Sequence, residues 1–331
     1  MKQAQALVVD HRELKGNYRL LTLKAPEIAA FAKPGQFVHV RCGDTLEPLL
    51  RRPVSIHKIE ADHGRLSLLY HVVGRGTRLL AEKQPGELVD LMGPLGRGFT
   101  LPEWVNKAVV VGGGIGAAPL LPLVETLVLA RVETTVILGA RCEELLIGVD
   151  PVAELGVEVI TATEDGSIGR KGLVTDMLRQ VLAQGRNTAK DKLDSDGQLL
   201  NQGKAVGKDK GRGKVDYLYS CGPKPMLKAV AALAKEYDVP GEVSLEERMG
   251  CGVGACLACA CKVRKQRGTT GQTGFGQNTP DKAQLTGAQL AETGREQSNC
   301  SVNNPEEAGY TYKRVCDHGP VFSLGEVILD D

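Results

Sequence analysis

Four cysteines fall within the fourteen residues GCGVGACLACACKV, 250–263, with glycine and alanine packed between them. Cys251, Cys256 and Cys259 have the spacing C-x4-C-x2-C, the ligand pattern of a plant-type [2Fe-2S] cluster, which needs one more, distant cysteine. The small residues have a chemical reason. A cluster carrying inorganic sulfide is stabilised by main-chain N–H groups, and Gly252, Gly254 and Ala255 let the backbone come close to it. Structural zinc usually takes two short C-x2-C-like pairs, and this stretch holds one, so the spacing favours iron and sulfur. Cys261 follows in CACKV, where a strand begins, and reads as a small buried residue.

The distant ligand is Cys300 or Cys316. Cys300 lies in a polar, Gly- and Gln-rich run without apolar periodicity, which cannot bury a core and is expected to be a flexible insert over 265–309. Cys316 lies in YKRVCDHGPVF, where a strand-like context and a Gly-Pro turn can hold a ligand rigidly. Cys316 is therefore the expected fourth ligand.

A second stretch points to a nucleotide. KAVVVGGGIGAAPLLPLVETLVLA, 107–130, reads as a buried strand, a turn at Gly112, Gly113, Gly114 and Gly116, and then a helix. Glycines there admit a pyrophosphate to the backbone, although the spacing is not G-x-G-x-x-G. Further strands are predicted in ETTVILGAR, GVEVITATEDG and VDYLYSC, and their alternation with helices implies a parallel sheet. Cys221, Gly222 and Pro223 follow the last of these strands, at the carboxyl end where open α/β sheets bind ligands. Glu164 and Asp165, after GVEVITAT, are placed to favour NAD over NADP, because carboxylates accept from ribose hydroxyls and repel a 2′-phosphate.

The elements ahead of this are different in kind. YRLLTLKAP, GQFVHVRC, RLSLLYHVV and GELVDLMGP are short alternating segments punctuated by Pro and Gly, the pattern of a small antiparallel barrel. Within them LLRRPVSI sets Arg52 and Ser55 around a proline-stiffened bend, a plausible diphosphate clamp.

Composition bounds the rest. A chain of 331 residues suggests two or three domains. With 41 basic and 40 acidic residues it has no electrostatic footprint for nucleic acid or an anionic membrane. No run approaches the roughly 20 apolar residues of a membrane span, and the start lacks a signal-peptide shape. A cytoplasmic protein is expected. Its nine cysteines then suit metal or redox chemistry better than a disulfide framework.

Taken in order, RPVS, GGGIGAAPL, CGPKPML and ERMGCGVGACLACACKV closed by VCDHGPVF resemble the ferredoxin-reductase superfamily, and within it the electron-transfer subunits of dihydroorotate dehydrogenase B. The resemblance covers nearly the whole chain outside two inserts. It implies an FAD-binding β-barrel over 1–102, an α/β nucleotide domain over 103–240 and a [2Fe-2S] domain over 241–331; the run 184–214, rich in glycine, lysine and aspartate, is longer than a family connection and is expected to be a flexible loop inserted in the nucleotide domain. The resemblance further implies FAD contacts from Arg52, Pro53, Val54 and Ser55, from Leu69, Tyr70 and His71, and from Gly76 and Thr77. The family's cluster cysteines match Cys251, Cys256, Cys259 and Cys316. Many superfamily members have tyrosine where Val54 stands, so flavin stacking from that position is not expected. The implied cofactors are FAD, a [2Fe-2S] cluster and NAD as acceptor. The implied partner is an FMN-containing dihydroorotate dehydrogenase catalytic subunit, in a heterotetramer with two of each chain. No catalytic acid or base is demanded, since a flavin between a hydride carrier and a one-electron cluster does the exchange. A sister subunit of a sulfhydrogenase or a ferredoxin:NADP transhydrogenase, and a metal-binding module without activity, are the competing readings.

Overall fold

The computed structural model describes residues 1–43, 47–190, 213–265 and 309–329. Six antiparallel strands close the N-terminal barrel: β1 (Lys2–Leu14), β2 (Tyr18–Lys24), β3 (Phe37–Val40), β4 (Arg52–Glu60), β5 (Arg65–His71) and β6 (Leu88–Leu95), in the order β1-β2-β5-β4-β3-β6. Alternation decides which side chains fill it. Ala4, Ala6 and Val8 of β1 and Val38 and Val40 of β3 point into one core with Leu21, Leu68 and Leu91. Phe37 and His39, also buried, therefore lie on the outer face of β3.

The second layer is a sheet in the order β10-β9-β8-β7-β11-β12-β15. Its strands are β7 (Lys107–Gly113), β8 (Glu133–Ala140), β9 (Glu158–Thr163), β10 (Arg170–Lys171), β11 (Tyr217–Cys221), β12 (Gly241–Ser244) and β15 (Val321–Ser323). Neighbours are parallel except β12 and β15. Helices cover both faces, so the central strand AVVV is buried on both sides: Val110 packs toward the helix Leu121–Leu129, and Val109 and Val111 toward the helices Val174–Lys190 and Lys224–Tyr237.

Three expectations need correction here. The boundary at 240/241 falls inside this sheet: β12 pairs with β11, and β15 returns to pair with β12. The C-terminal segment thus completes the nucleotide sheet before and after forming the cluster site. Residues 184–190, expected to be loop, continue the helix that begins at Val174, since extending a formed helix needs no apolar face of its own. The glycine turn does not lead straight into an α-helix either. Gly114–Leu120 is a 3-10 segment, and the α-helix starts at Leu121. Gly114 has φ +54° and Pro119 lacks an N–H donor, and both work against α geometry in that turn.

Strands β13 (Ala260–Arg264) and β14 (Tyr310–Arg314) form an antiparallel pair. Lys265 N–H donates to the Gly309 carbonyl at 3.0 Å, so the chain leaves and rejoins this pair at one place. Cys300 and the rest of 266–308 lie outside the described residues. Replacing 266–308 by a short Gly/Ser turn is expected to leave iron, sulfide and flavin contents unchanged and stability within about 1 kcal/mol, because closure cost varies slowly with loop length. Cofactor analysis and thermal unfolding of the shortened chain measure this, and loss of either cofactor would contradict it.

Candidate functional site

The cysteine loop wraps its own sulfurs with main-chain donors. Cys251 Sγ accepts from the amides of Val253, Ala255 and Cys256 at 3.2–3.4 Å, and Cys256 Sγ accepts from Cys251 N at 3.4 Å. From β14 onward the chain brings in Cys316: its Sγ accepts from Gly254 N at 3.1 Å, and its amide donates to Cys259 Sγ at 3.4 Å. Gly252 and Gly254, at φ +72° and +81°, supply the turns that aim these amides inward. Among the described residues no group of three or more His, Cys, Asp or Glu surrounds a single metal position. The thiols instead fall into two pairs, Cys251 and Cys256 each accepting from the other's amide, and Cys259 accepting from the Cys316 amide. Two pairs under a canopy of N–H donors fit a four-thiolate two-iron cluster better than a tetrahedral zinc.

Electrostatics separates the pairs. Desolvation opposes ionisation of Cys251, yet hydrogen bonds from Val253, Cys256 and Ala255 bring its thiol down to about 6. Burial, with the neighbouring Cys259, pushes Cys316 up to about 12. Cys259 and Cys316 are buried, whereas Cys256 is exposed beside the exposed side chains of Val253 and Leu257. One edge of the site therefore faces solvent. Cys261 pairs across to Lys313 on the hairpin and packs against the apolar group around Cys259, and burial raises its thiol to about 11.

A cavity of about 870 Å³ lies between the barrel and the C-terminal segment. Arg52, Pro53, Val54, Ser55, Leu69, Tyr70, His71 and Thr77 line it. Gly76 is not in its wall but lies beneath Arg52, where a Cβ would stand 3.0 Å from Nε. Thr77 Oγ accepts from the amides of Val73 and Gly74 and fixes the turn entering the helix Arg75–Ala81. The two adjacent arginines divide their work. Arg51 is paired with the Asp90 carboxylate at 2.7 Å and bonded to the Asp90 carbonyl. Arg52 bonds only the carbonyls of Leu50 and Arg51 among the described residues and meets no carboxylate, which leaves its charge for a ligand. Aromatic contact at the missing tyrosine position is offered instead by Phe37 and Tyr70 in the same wall.

A second cavity of about 410 Å³ opens at the carboxyl ends of β7, β8, β9 and β11. Gly113, Gly114 and Pro223 line it together with Arg141 and Glu164. Gly112, Gly116, Cys221 and Gly222 sit behind the wall and shape it. A Cβ on Gly116 would overlap the Cys221 carbonyl and come within 2.6 Å of the Gly222 Cα, so the two turns pack backbone on backbone. Of the carboxylates expected at the ribose, Glu164 reaches the cavity, while Asp165 is occupied with the Ser167 amide and hydroxyl. The cavities share a wall: Tyr18 of the smaller packs against His71 of the larger, ring centroids 4.6 Å apart and planes tilted by 40°. His57 Nδ1 donates to the Ala118 carbonyl at 2.8 Å and ties the barrel to the glycine turn.

Several lining residues escaped the sequence reading. Ser244, Leu245, Glu246 and Met249 close the larger cavity from the strand leading into the cysteine loop. Glu246 keeps exposed surface, which is the surface of the cavity itself, while desolvation by the protein around it raises its carboxyl. The segment SLEERM has no spacing signal that would single these residues out. Their role comes from β12 ending at the cavity.

A family model described as the iron-sulfur cluster binding domain of dihydroorotate dehydrogenase B matches residues 246–273. A relative in Desulforamulus reducens, named dihydroorotate dehydrogenase B (NAD(+)), electron transfer subunit, is 46% identical over 75% of this chain and 84% of its own length. A relative of the same name in a Geobacillus species is 37% identical over 99% of this chain and all of its own. Among solved structures, an NADH-dependent reduced ferredoxin-NADP oxidoreductase, described for flavin-based electron bifurcation, superposes with a TM-score of 0.69 at 24% identity, covering 98% of this chain and 90% of that one. The ferredoxin reductase of carbazole 1,9a-dioxygenase gives 0.55 at 20% identity, covering 72% and 66%. These structures share the fold. Identity at these levels across the whole length decides membership: the chain belongs to the family of electron-transfer subunits of NAD-dependent dihydroorotate dehydrogenase B.

Proposed function

We propose that this chain relays electrons from a separate catalytic subunit that oxidises dihydroorotate, and that carries FMN, to NAD, with two copies of each subunit in the assembly. A [2Fe-2S] cluster on Cys251, Cys256, Cys259 and Cys316, FAD in the larger cavity and the nicotinamide nucleotide in the smaller one are the groups it holds. When bound, nicotinamide exchanges two electrons as hydride, a cluster exchanges one at a time, and a flavin does both. The protein's own task is to bind these groups and keep them close in the right order.

Adjacency is the observation that supports this reading. Phe37 and Leu245 line the larger cavity and also belong to the apolar group that contains Cys259 and Cys316. On the other side Tyr18 and His71 are in tilted ring contact across the wall to the smaller cavity. The three sites thus adjoin one another through shared side chains, an arrangement that would keep electron and hydride transfer short. Arg52 serves the flavin diphosphate, Gly113 and Gly114 let the nucleotide approach the backbone, and the exposed edge at Cys256 and Leu257 is where the partner docks.

The test is reconstitution. The purified chain is expected to reduce an artificial dye with NADH and to show no dihydroorotate-dependent NAD reduction until the catalytic subunit is added. Dihydroorotate oxidation by the chain alone would refute the relay, because that chemistry needs a base beside the substrate. A complex that forms without coupling would move the assignment to a sister subunit serving another oxidoreductase.

Nucleotide preference follows from Glu164. Its carboxylate is expected to make turnover with NADH exceed that with NADPH by roughly tenfold or more in kcat/KM, and Glu164→Gln is expected to narrow the ratio, since a repelled 2′-phosphate is worth about 1.4 kcal/mol per decade. Arg141 in the same cavity remains to bind the nucleotide in that variant. Equal turnover with both cofactors in the parent chain would count against it.

A further inference from the structure

His39 is fully buried, and neither of its ring nitrogens makes a hydrogen bond of good geometry among the described residues, although the Cys251 main chain lies beside the ring. The other buried unpaired side-chain nitrogens there are Nε atoms of Arg19, Arg65 and Arg314, and each of those guanidiniums has at least one bond from its terminal nitrogens. His39 has none. A wholly unsatisfied polar side chain is rare inside a protein and calls for a partner. His39 is on the outer face of β3, two residues from Phe37, which faces both the larger cavity and the apolar group of Cys259 and Cys316. Its ring lies against the cysteine loop. A Cβ on Gly252 would stand 2.6 Å from His39 Nδ1 and 3.0 Å from Cε1, so the loop has a glycine between Cys251 and Val253 where the imidazole presses on it.

We infer that His39 is a positioning residue for the cluster: its imidazole N–H, projecting from the flavin barrel past Gly252 and unsatisfied among the described residues, would donate to the sulfur shell at Cys251 once the cluster is in place. This rests on the [2Fe-2S] reading above. Every donor to the thiols given by the loop itself is a main-chain amide, and His39 adds a side-chain donor from another domain. A neutral imidazole has one N–H to give. Hydrogen bonds to cluster sulfur favour the reduced, more negative state and raise the potential. The barrel that holds the flavin therefore helps to set the potential of the cluster that feeds it, and the two sites are matched through one residue.

The experiment uses the full chain in three forms: parent, His39→Gln and His39→Phe. Iron and sulfide contents are expected to be unchanged. Poised at the parent's midpoint, the reduced-to-oxidised ratio of the cluster in His39→Phe is expected to fall about tenfold, with altered electron paramagnetic resonance g-values, because a donor to sulfur has been removed. His39→Gln keeps a donor and is expected to restore most of the ratio. In parallel, the reduced parent labelled with 15N-histidine is expected to show a nitrogen hyperfine coupling that vanishes in His39→Gln and persists in His318→Gln, the exposed histidine near Cys316. A loaded His39→Phe with the parent's ratio and spectrum, or a parent without the coupling, would overturn the inference while leaving the relay intact. If His39→Phe fails to load, the coupling in the parent decides. A parent with no two-iron signal would overturn both.

Discussion

Cys316→Ser is expected to purify with less than about a tenth of the parent's iron and sulfide, and to lose the visible absorption of the cluster, since serine replaces a thiolate in a four-cysteine set. The geometry shows why the loss should be near complete. Cys316 is the ligand that reaches the loop from a distant strand, and its sulfur and amide close the site through Gly254 and Cys259. Burial, with the neighbouring Cys259, pushes its thiol up, so iron must displace its proton on binding, and a serine hydroxyl, a weaker acid still, is a poor substitute. Cys261→Ser and Cys300→Ser are expected to keep full cluster content. Cys261 belongs to the packing of the β13–β14 pair, and with Cys316 bonded into the loop the four-cysteine set is complete without Cys300. A colourless Cys300→Ser protein beside a loaded Cys316→Ser protein would reverse the ligand assignment. NADH oxidation by dye should survive in Cys316→Ser, while coupling to the catalytic subunit should disappear.

Arg52→Ala is expected to weaken FAD binding roughly 100-fold, about 2.7 kcal/mol, through loss of a charge-assisted bond to phosphate in a partly enclosed cavity. The chain should emerge largely free of flavin, its melting temperature recovering when FAD is added in excess. Arg51→Ala should act differently. Its guanidinium holds Asp90 on β6, and both partners are mostly buried, so its removal leaves a carboxylate without its counter-charge and destabilises the barrel with or without flavin. Titration of FAD into the two refolded variants, followed by fluorescence quenching, separates these effects. A tight flavin complex in Arg52→Ala would show that the diphosphate is held elsewhere.

Sequence alone determined whatever is written at short range. The C-x4-C-x2-C spacing with intervening glycines defines a metal-wrapping loop because its ligands and donors all lie within a few residues, and the structure shows those amides on those sulfurs. Period-two alternation in the first hundred residues and the doubly buried run AVVV likewise report their layers directly, because pleat and burial act residue by residue. Adjacent residues of one type defeated this reasoning. Arg51 and Arg52 are indistinguishable as a dipeptide, and only the approach of Asp90 from β6 assigns one to the fold and leaves the other to a ligand. The same holds for SLEERM, which borders the larger cavity because β12 lies beside β11 in the seven-stranded sheet, and for His39, which meets Gly252 from more than two hundred positions away. Such contacts depend on where separate elements come to rest against one another. That is settled by the packing of the barrel and sheet surfaces, and no local pattern of residue types encodes it.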